Sequence, residues 1–178
     1  MKSRNIIVRL LLKLESMIIK LKNKYYRDVI IEQAKSYTLP LRVNGKSMIN
    51  KNTYLGKNVN FNGMMIYGKG KVVIGDNFHS GTNCQMITQI HNYDGGEEIP
   101  YDSTYILKDI IIEDNVWIGN NVIILGGVTI GEGAIIQAGS VVVNDIPKYA
   151  IAGGHPARVF ANRDIEHYER LKEQKKYH

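Results

Sequence analysis

A chain of 178 residues that is 44% hydrophobic and 22% charged has the size and composition of one globular domain, which excludes a disordered chain. Its single cysteine, Cys84, excludes an internal disulfide and fits a reducing compartment. The net charge of +6 calls for an anionic partner. The basic residues gather at the two ends, in Lys2–Arg27 and Arg158–Lys176, which points to a membrane surface or an anionic cofactor and away from nucleic acid.

Residues 1–40 read as an N-terminal amphipathic helical arm. From Asn5 to Lys24 the chain is rich in Ile and Leu, and Arg9, Lys13, Ser16 and Lys20 recur at helical spacing. They draw a narrow basic stripe on an otherwise apolar helix. No uninterrupted apolar stretch approaches the roughly 18 to 20 residues a spanning helix needs. Arg9 and Lys13 also interrupt any signal-peptide core. Two partners stay open for the apolar surface. One is protein, either the chain's own body or a neighbouring subunit. The other is anionic lipid, with Tyr25, Tyr26 and Arg27 near the headgroups. The expected location is cytoplasmic, with residues 5–24 available for peripheral contact on the inner face of the membrane.

Residues 41–160 carry a beat of six. It starts unevenly as INKNTY, LGKNVN, FNGMMI and YGKGKV, shifts phase by one residue at Val73, and resumes as IGDNFH, SGTNCQ and MITQIH. Polar Ser80 falls at the first position of a hexad, and Met64–Met65 are uneven, so these early coils should accommodate a substrate or neighbour. Cys84 falls at a fifth position and reads as a small inward residue. Residues 92–105, NYDGGEEIPYDSTY, have no period and must leave the coil as an extruded loop. His91 stands where the rigid wall meets that loop, a place that serves a catalytic side chain and a corner cap equally well.

From Ile106 the beat becomes strict: ILKDII, IEDNVW, IGNNVI, ILGGVT, IGEGAI, IQAGSV. Isoleucine holds every first position, and Ile110, Val116, Val122, Val128, Ala134 and Ser140 hold the fifth. A period of six fits neither a helix nor a simple strand alternation. It fits a coil in which every sixth residue points to a common axis, with Asn and Gly at corners that need unusual backbone angles. Residues 161–178 form a charged helical pattern with Ile165, Tyr168 and Leu171 on one side, expected to cap the open end of the prism.

These hexads resemble those of the hexapeptide-repeat acyltransferases, and the resemblance implies an all-β core folded as a left-handed parallel β-helix, between the N-terminal arm and a short C-terminal helix. The stretch IGDNFHSGTNCQMITQIH resembles the galactoside and maltose O-acetyltransferase branch, whose histidine before the extruded loop is a general base. On that resemblance His91 is catalytic. Asn60-Phe61-Asn62 resembles an NFN triplet whose second Asn faces the acceptor, which places Asn62 on the acceptor side; Val73 lengthens the interval to His91 by one residue. The branch also has a loop glutamate. Its place falls near Asp102 and Ser103, so Asp102 is the acceptor-side candidate, with Asp94, Glu97 and Glu98 as alternatives.

The resemblance further implies acetyl-CoA as co-substrate, lying outside the regular coils against Asn120, Ala138, Val143, Asn144 and Arg158. Among these, a guanidinium pairs well with phosphate. His155 stands where the family usually has Asn. Family members are homotrimers with the site between chains. A thioester is already activated, so the remaining task is to deprotonate the acceptor and stabilise the oxyanion, a duty that suits imidazole at neutral pH.

The expected activity is acetyl transfer to a sugar hydroxyl, in surface or capsular polysaccharide biosynthesis. N-acetylation of a nucleotide-linked aminosugar, acetylation of an antibiotic, and a non-catalytic scaffold are the alternatives. A metal-dependent hydratase on the same prism would need three converging histidines. His79 and His91 have no third partner nearby, so no metal is expected.

Overall fold

The computed structural model describes residues 2–178, with side chains from residue 5. The hexads wind into a parallel β-helix with three faces. The first face carries Ser36–Tyr37, Thr53–Leu55, Val72–Ile74, Ile110–Ile112 and Thr129–Ile130. The second carries Leu41–Val43, Val59–Phe61, His79–Ser80, Trp117–Ile118, Ile135–Ile136 and Ala150–Gly154, and the last of these pairs antiparallel with Ala157–Asn162. The third carries Met64–Tyr67, Cys84–Ile87, Ile123–Leu125 and Val141–Val142.

The interior follows the hexad pattern. Ile112, Ile118, Ile124, Ile130 and Ile136 are at most 1% exposed, and the fifth-position residues from Ile110 to Ser140 are all buried. Burying each isoleucine stabilises the prism by about 2 kcal/mol. The corners explain the asparagines. Asn58, Asn77 and Asn115 share one corner and Asn83 and Asn121 another, all with φ between 55° and 60°, where Asn is tolerated better than most residues. Their side-chain amides stack between coils, Asn58 donating to Asn77 (3.0 Å), Asn77 to Asn115 (2.9 Å) and Asn83 to Asn121 (2.8 Å). Each ladder thus joins neighbouring coils at a corner, beside backbone bonds such as the Asn77 N–H to the Lys57 carbonyl (2.7 Å) and the Asn121 N–H to the Thr82 carbonyl (2.8 Å).

Buried hydroxyls serve the same accounting. The Ser140 hydroxyl donates to the Gln137 carbonyl and accepts from the Gly154 N–H. Ser80, buried at its first position, accepts from the Asn62 N–H at 3.3 Å. Cys84 is buried, its Sγ 3.1 Å from the Gly119 carbonyl, and burial pushes its thiol pKa up. It is an inward packing residue.

Three expectations need correction. Ile106 does not open a coil: it pairs antiparallel with Ile90 outside the prism, and the strict coils begin at Ile110. Val73 is not the phase shift, because it sits in register between Tyr54 and Ile111. The buried residues show where the shift lies. Phe61 and Met64 are three apart and Ile66 and Val72 six apart, against four for Ile112 and Val116. The corners at Gly63 (φ 116°) and Gly68 (φ 89°) absorb the difference. The C-terminal helix, α2 (Ile165–Glu173), does not cap the prism end. Asp164 caps its N-terminus by accepting from the His167 N–H, and the chain runs back along the second face until the His178 carbonyl accepts from Asn58 at 2.8 Å. Tyr168 and Lys172 hold α2 there through Glu132.

The N-terminal helix, α1 (Lys2–Gln33), is 32 residues long, about 48 Å at 1.5 Å per residue. Only its last turns touch the prism: Ile30 is fully buried, Tyr26, Ile31 and Ala34 pack on the core, and Gln33 Oε1 accepts from the Ile49 N–H at 3.0 Å. The preceding turns, from Asn5 to Lys22, are exposed on every side. Of the two protein partners expected for the arm, its own prism is therefore ruled out for these residues. Among the described residues no helix is long and apolar enough to cross a membrane.

Candidate active site

Successive coils are 18 residues apart where the repeat is strict, as between Ile111 and Thr129, but 38 apart between Val73 and Ile111. The surplus leaves the third face after Ile87 and returns to the first at Lys108. Thr88 closes the breach. Its hydroxyl donates to the Tyr67 carbonyl (2.7 Å) and accepts from the Gly70 N–H (3.1 Å), and its carbonyl accepts from the Lys108 N–H (2.9 Å).

The base of the excursion is an antiparallel ribbon of Gln89–His91 and Tyr105–Leu107, so the extruded element reaches beyond residues 92–105 on both sides. His91 lies at the top of this ribbon, opposite Tyr105. Its ring stacks on Tyr101, with centroids 3.7 Å apart and planes 19° from parallel, and meets Tyr105 at 4.8 Å. Its Nδ1 is buried and has no hydrogen-bond partner among the described residues. A buried ring nitrogen without a partner is costly, and a histidine base needs an acceptor or donor there to settle its tautomer.

No loop carboxylate fills that role. Asp102 instead braces the loop: it accepts from the Glu97 N–H (3.1 Å), the Thr104 N–H (2.8 Å) and the Thr104 hydroxyl. The Thr104 hydroxyl, followed by these backbone donors, pulls its pKa below the usual carboxylate range. The sequence reading missed Tyr101 and Tyr105. The signal for Tyr105 was present, since apolar residues alternate on both sides of a Gly- and Pro-containing loop, a hairpin pattern.

Asn62 sits at the corner between the second and third faces. Its Nδ2 donates to the Ser80 carbonyl (2.7 Å) and its Oδ1 accepts from Asn44 (3.0 Å). It lines a cavity of about 440 Å³ with Arg42, Asn44, Asn60, His79 and His178, so one chain places it with His79 and not with His91. His79 contacts Asn60 (Nε2 to Nδ2, 3.1 Å) and the His178 ring, and burial, followed by the neighbouring His178, lowers its pKa. A larger groove of about 590 Å³ runs beneath α2; it contains none of the predicted site residues. No group of three His, Cys, Asp or Glu side chains among the described residues is placed to hold a metal ion.

The remaining predicted positions border the third face. Asn120 and Ala138 stack at its leading corner, where the Gly139 N–H donates to the Asn120 carbonyl at 2.8 Å. Gly154 joins the same corner one coil on, through Ser140, and Arg158 pairs opposite Gly153. Val143 and Asn144 are exposed just past Val141–Val142, at the trailing corner from which, two coils earlier, the His91 ribbon departs. Arg158 is exposed, and its Nη1 donates to the adjacent Ala157 carbonyl. Most of its five donors are therefore free to meet phosphate.

Residues 109–144 match the bacterial transferase hexapeptide family, six repeats. A hexapeptide-repeat-containing acetyltransferase from Vibrio cholerae is 32% identical, with 72% of this chain and 71% of that one covered and a TM-score of 0.56. The chain belongs to the hexapeptide-repeat acetyltransferases. Two further acetyltransferases of this family align at 31% identity. Galactoside acetyltransferase in complex with coenzyme A covers 80% of this chain and 70% of its own, with a TM-score of 0.62. Maltose O-acetyltransferase from Clostridium difficile covers 76% and 73%, with a TM-score of 0.61. An N-acyltransferase from Bacillus cereus, 21% identical, shares the fold at a TM-score of 0.62. No curated protein sequence matches this hexapeptide-repeat acetyltransferase.

Proposed function

We propose that this acetyltransferase transfers the acetyl group of acetyl-CoA to a hydroxyl of a sugar or glycan acceptor, with His91 as general base. The observation that carries the reading is the setting of His91. One imidazole stands on a ribbon at the wall of the prism, stacked on Tyr101 and in contact with Tyr105, at a corner of the face that the cofactor positions border. The relatives above 30% identity include a galactoside and a maltose acetyltransferase, which favours an oxygen acceptor.

Acetyl-CoA supplies an acyl carbon that is already activated. The chain's own part is to take the proton of the attacking hydroxyl at His91 and to hold the anionic end of the cofactor at Arg158. The same reading assembles three copies. Asn62 and His91 lie at different corners of one chain, and a neighbouring copy would bring an acceptor-side asparagine and a partner for Nδ1 to each imidazole. Surface or capsular polysaccharide is the acceptor class this reading favours, made at the cytoplasmic side.

The test is thiol release from acetyl-CoA against a panel of sugars, nucleotide-linked aminosugars and antibiotics, with the wild-type chain and His91→Ala. Sugar-dependent release should fall by about two to four orders of magnitude in the variant, while coenzyme A binding persists. Near-normal turnover would remove His91 from the chemistry; release that answers only to aminosugars or antibiotics would replace the acceptor.

A further inference from the structure

Residues 5–22 of α1 present an apolar surface that no other described residue covers, and the charge of the arm says what covers it. Ile7, Leu10, Leu14, Met17, Ile18 and Leu21 are each between 42% and 60% exposed, apart from Leu21 at 62%. At 100° per residue they share one arc of roughly 100°. Arg9, Lys13, Ser16 and Lys20 form a stripe that flanks this arc, its centre roughly 120° away, all exposed. Between residues 2 and 24 the sequence has seven basic residues and one acid, Glu15. That is a net +6, the net charge of the entire chain, and the remainder carries sixteen charges of each sign.

Two kinds of surface could cover the apolar arc, a second copy of the arm or a lipid interface. A symmetric bundle of arms would bring these cations together with only one acid per chain to offset them, and like charges at such distances repel. An anionic bilayer satisfies the arc and its flanking stripe at once: the arc enters the acyl boundary and the cations meet the headgroups. Nucleic acid would meet the charge but leave the arc in water. The helix needs no rearrangement to lie flat, because only its last turns are packed on the prism.

We infer that α1 is an interfacial helix that docks the acetyltransferase onto anionic lipid through the arc of Leu10, Leu14, Ile18 and Leu21, with Arg9, Lys13 and Lys20 at the headgroups. The proposal concerns the arm alone and does not depend on which acceptor the active site takes.

The test is co-sedimentation of the full-length protein with phosphatidylcholine vesicles, with and without phosphatidylglycerol, alongside sedimentation velocity without lipid. Wild-type protein should pellet with the anionic vesicles and be released by salt. Lys13→Gln/Lys20→Gln should weaken partitioning by about 25-fold, taking about fivefold for each cation at an anionic surface. Leu14→Asn/Ile18→Asn should abolish binding while the circular dichroism of the prism and the sedimentation coefficient stay unchanged. Wild-type protein that stays in the supernatant at every phosphatidylglycerol content would overturn the inference. So would equal binding to neutral vesicles, or a drop in oligomeric mass in Leu14→Asn/Ile18→Asn, which would assign the arc to a second copy.

Discussion

The stack of Tyr101 on His91 gives a quantitative handle on the proposed base. An aromatic pair in contact contributes about 0.5–1.5 kcal/mol beyond its burial. With Tyr101 44% exposed, the lower half of that range applies, about 0.5–1 kcal/mol. No described residue bonds the ring at Nδ1, so the Tyr101 stack, with Tyr105 beside it, restrains its orientation. Truncation in Tyr101→Ala should free the imidazole and lower kcat by about two- to fivefold, at a factor of ten for each 1.36 kcal/mol. KM for acetyl-CoA should stay constant, because Tyr101 is not among the proposed cofactor positions. Tyr101→Phe keeps the ring and should keep the rate. The assay is steady-state thiol release with the best acceptor, across pH. An alanine variant as fast as wild type, or faster, would refute the positioning role and make the tyrosine a cover over the acceptor's place.

Three other perturbations test the scaffold and the cofactor corner. Ile124→Ala deletes a fully buried side chain from the middle of the prism and should cost about 3 kcal/mol, allowing for the cavity it leaves, read as a fall in Tm. Arg158→Ala should raise the apparent KM for acetyl-CoA about tenfold, the equivalent of one charge-assisted hydrogen bond, with kcat little changed; an unchanged KM would contradict the phosphate role. Glu132 joins α2 to the prism through Tyr168 and Lys172 and also pairs with Lys148. Burial pushes its pKa up, but the hydrogen bonds from Lys172, Lys148 and Tyr168 outweigh this and hold it below the ordinary 4.5. Its contribution is therefore complete above pH 4.5 and is lost as pH falls through the lower folded value. Glu132→Gln should lower Tm at neutral pH and flatten the acid limb of the Tm–pH curve; a parallel limb would dissociate Glu132 from it.

The prism was legible because its rule is local. An isoleucine every sixth residue specifies the interior, and a small or β-branched residue four places later specifies the corner, whatever the rest of the chain does. The same rule misled at Ile106, which lies six residues before Ile112 yet belongs to a ribbon. An alternating strand leaving the prism presents apolar residues that fall on the beat by accident of length, and only the pairing of Ile90 with Ile106 reveals the exit. Direction was harder still. Ile165, Tyr168 and Leu171 show that α2 has an apolar side, but whether it closes the end or folds back along a face depends on Glu132 and Asn58, more than thirty residues away.

At the site, occupation by the scaffold separates the predicted residues. Asn120 Oδ1 accepts from the Thr82 N–H at 2.8 Å, in the position where Asp76 and Asp114 serve neighbouring corners. Asn62 is engaged at both ends of its amide, and Asp102 braces its own loop. Each has a structural reason to be the residue it is, so its type alone argues little for binding. Arg158 and His91 are different. Among the described residues the guanidinium meets only the carbonyl beside it, and the imidazole is held by stacking with its buried nitrogen unpaired. Neither arrangement pays for itself within the chain, since an exposed arginine gains little from its own neighbour and a desolvated nitrogen loses a hydrogen bond. Side chains whose polar groups the scaffold leaves idle are where a ligand has most to offer, and on that ground these two carry the case for the site.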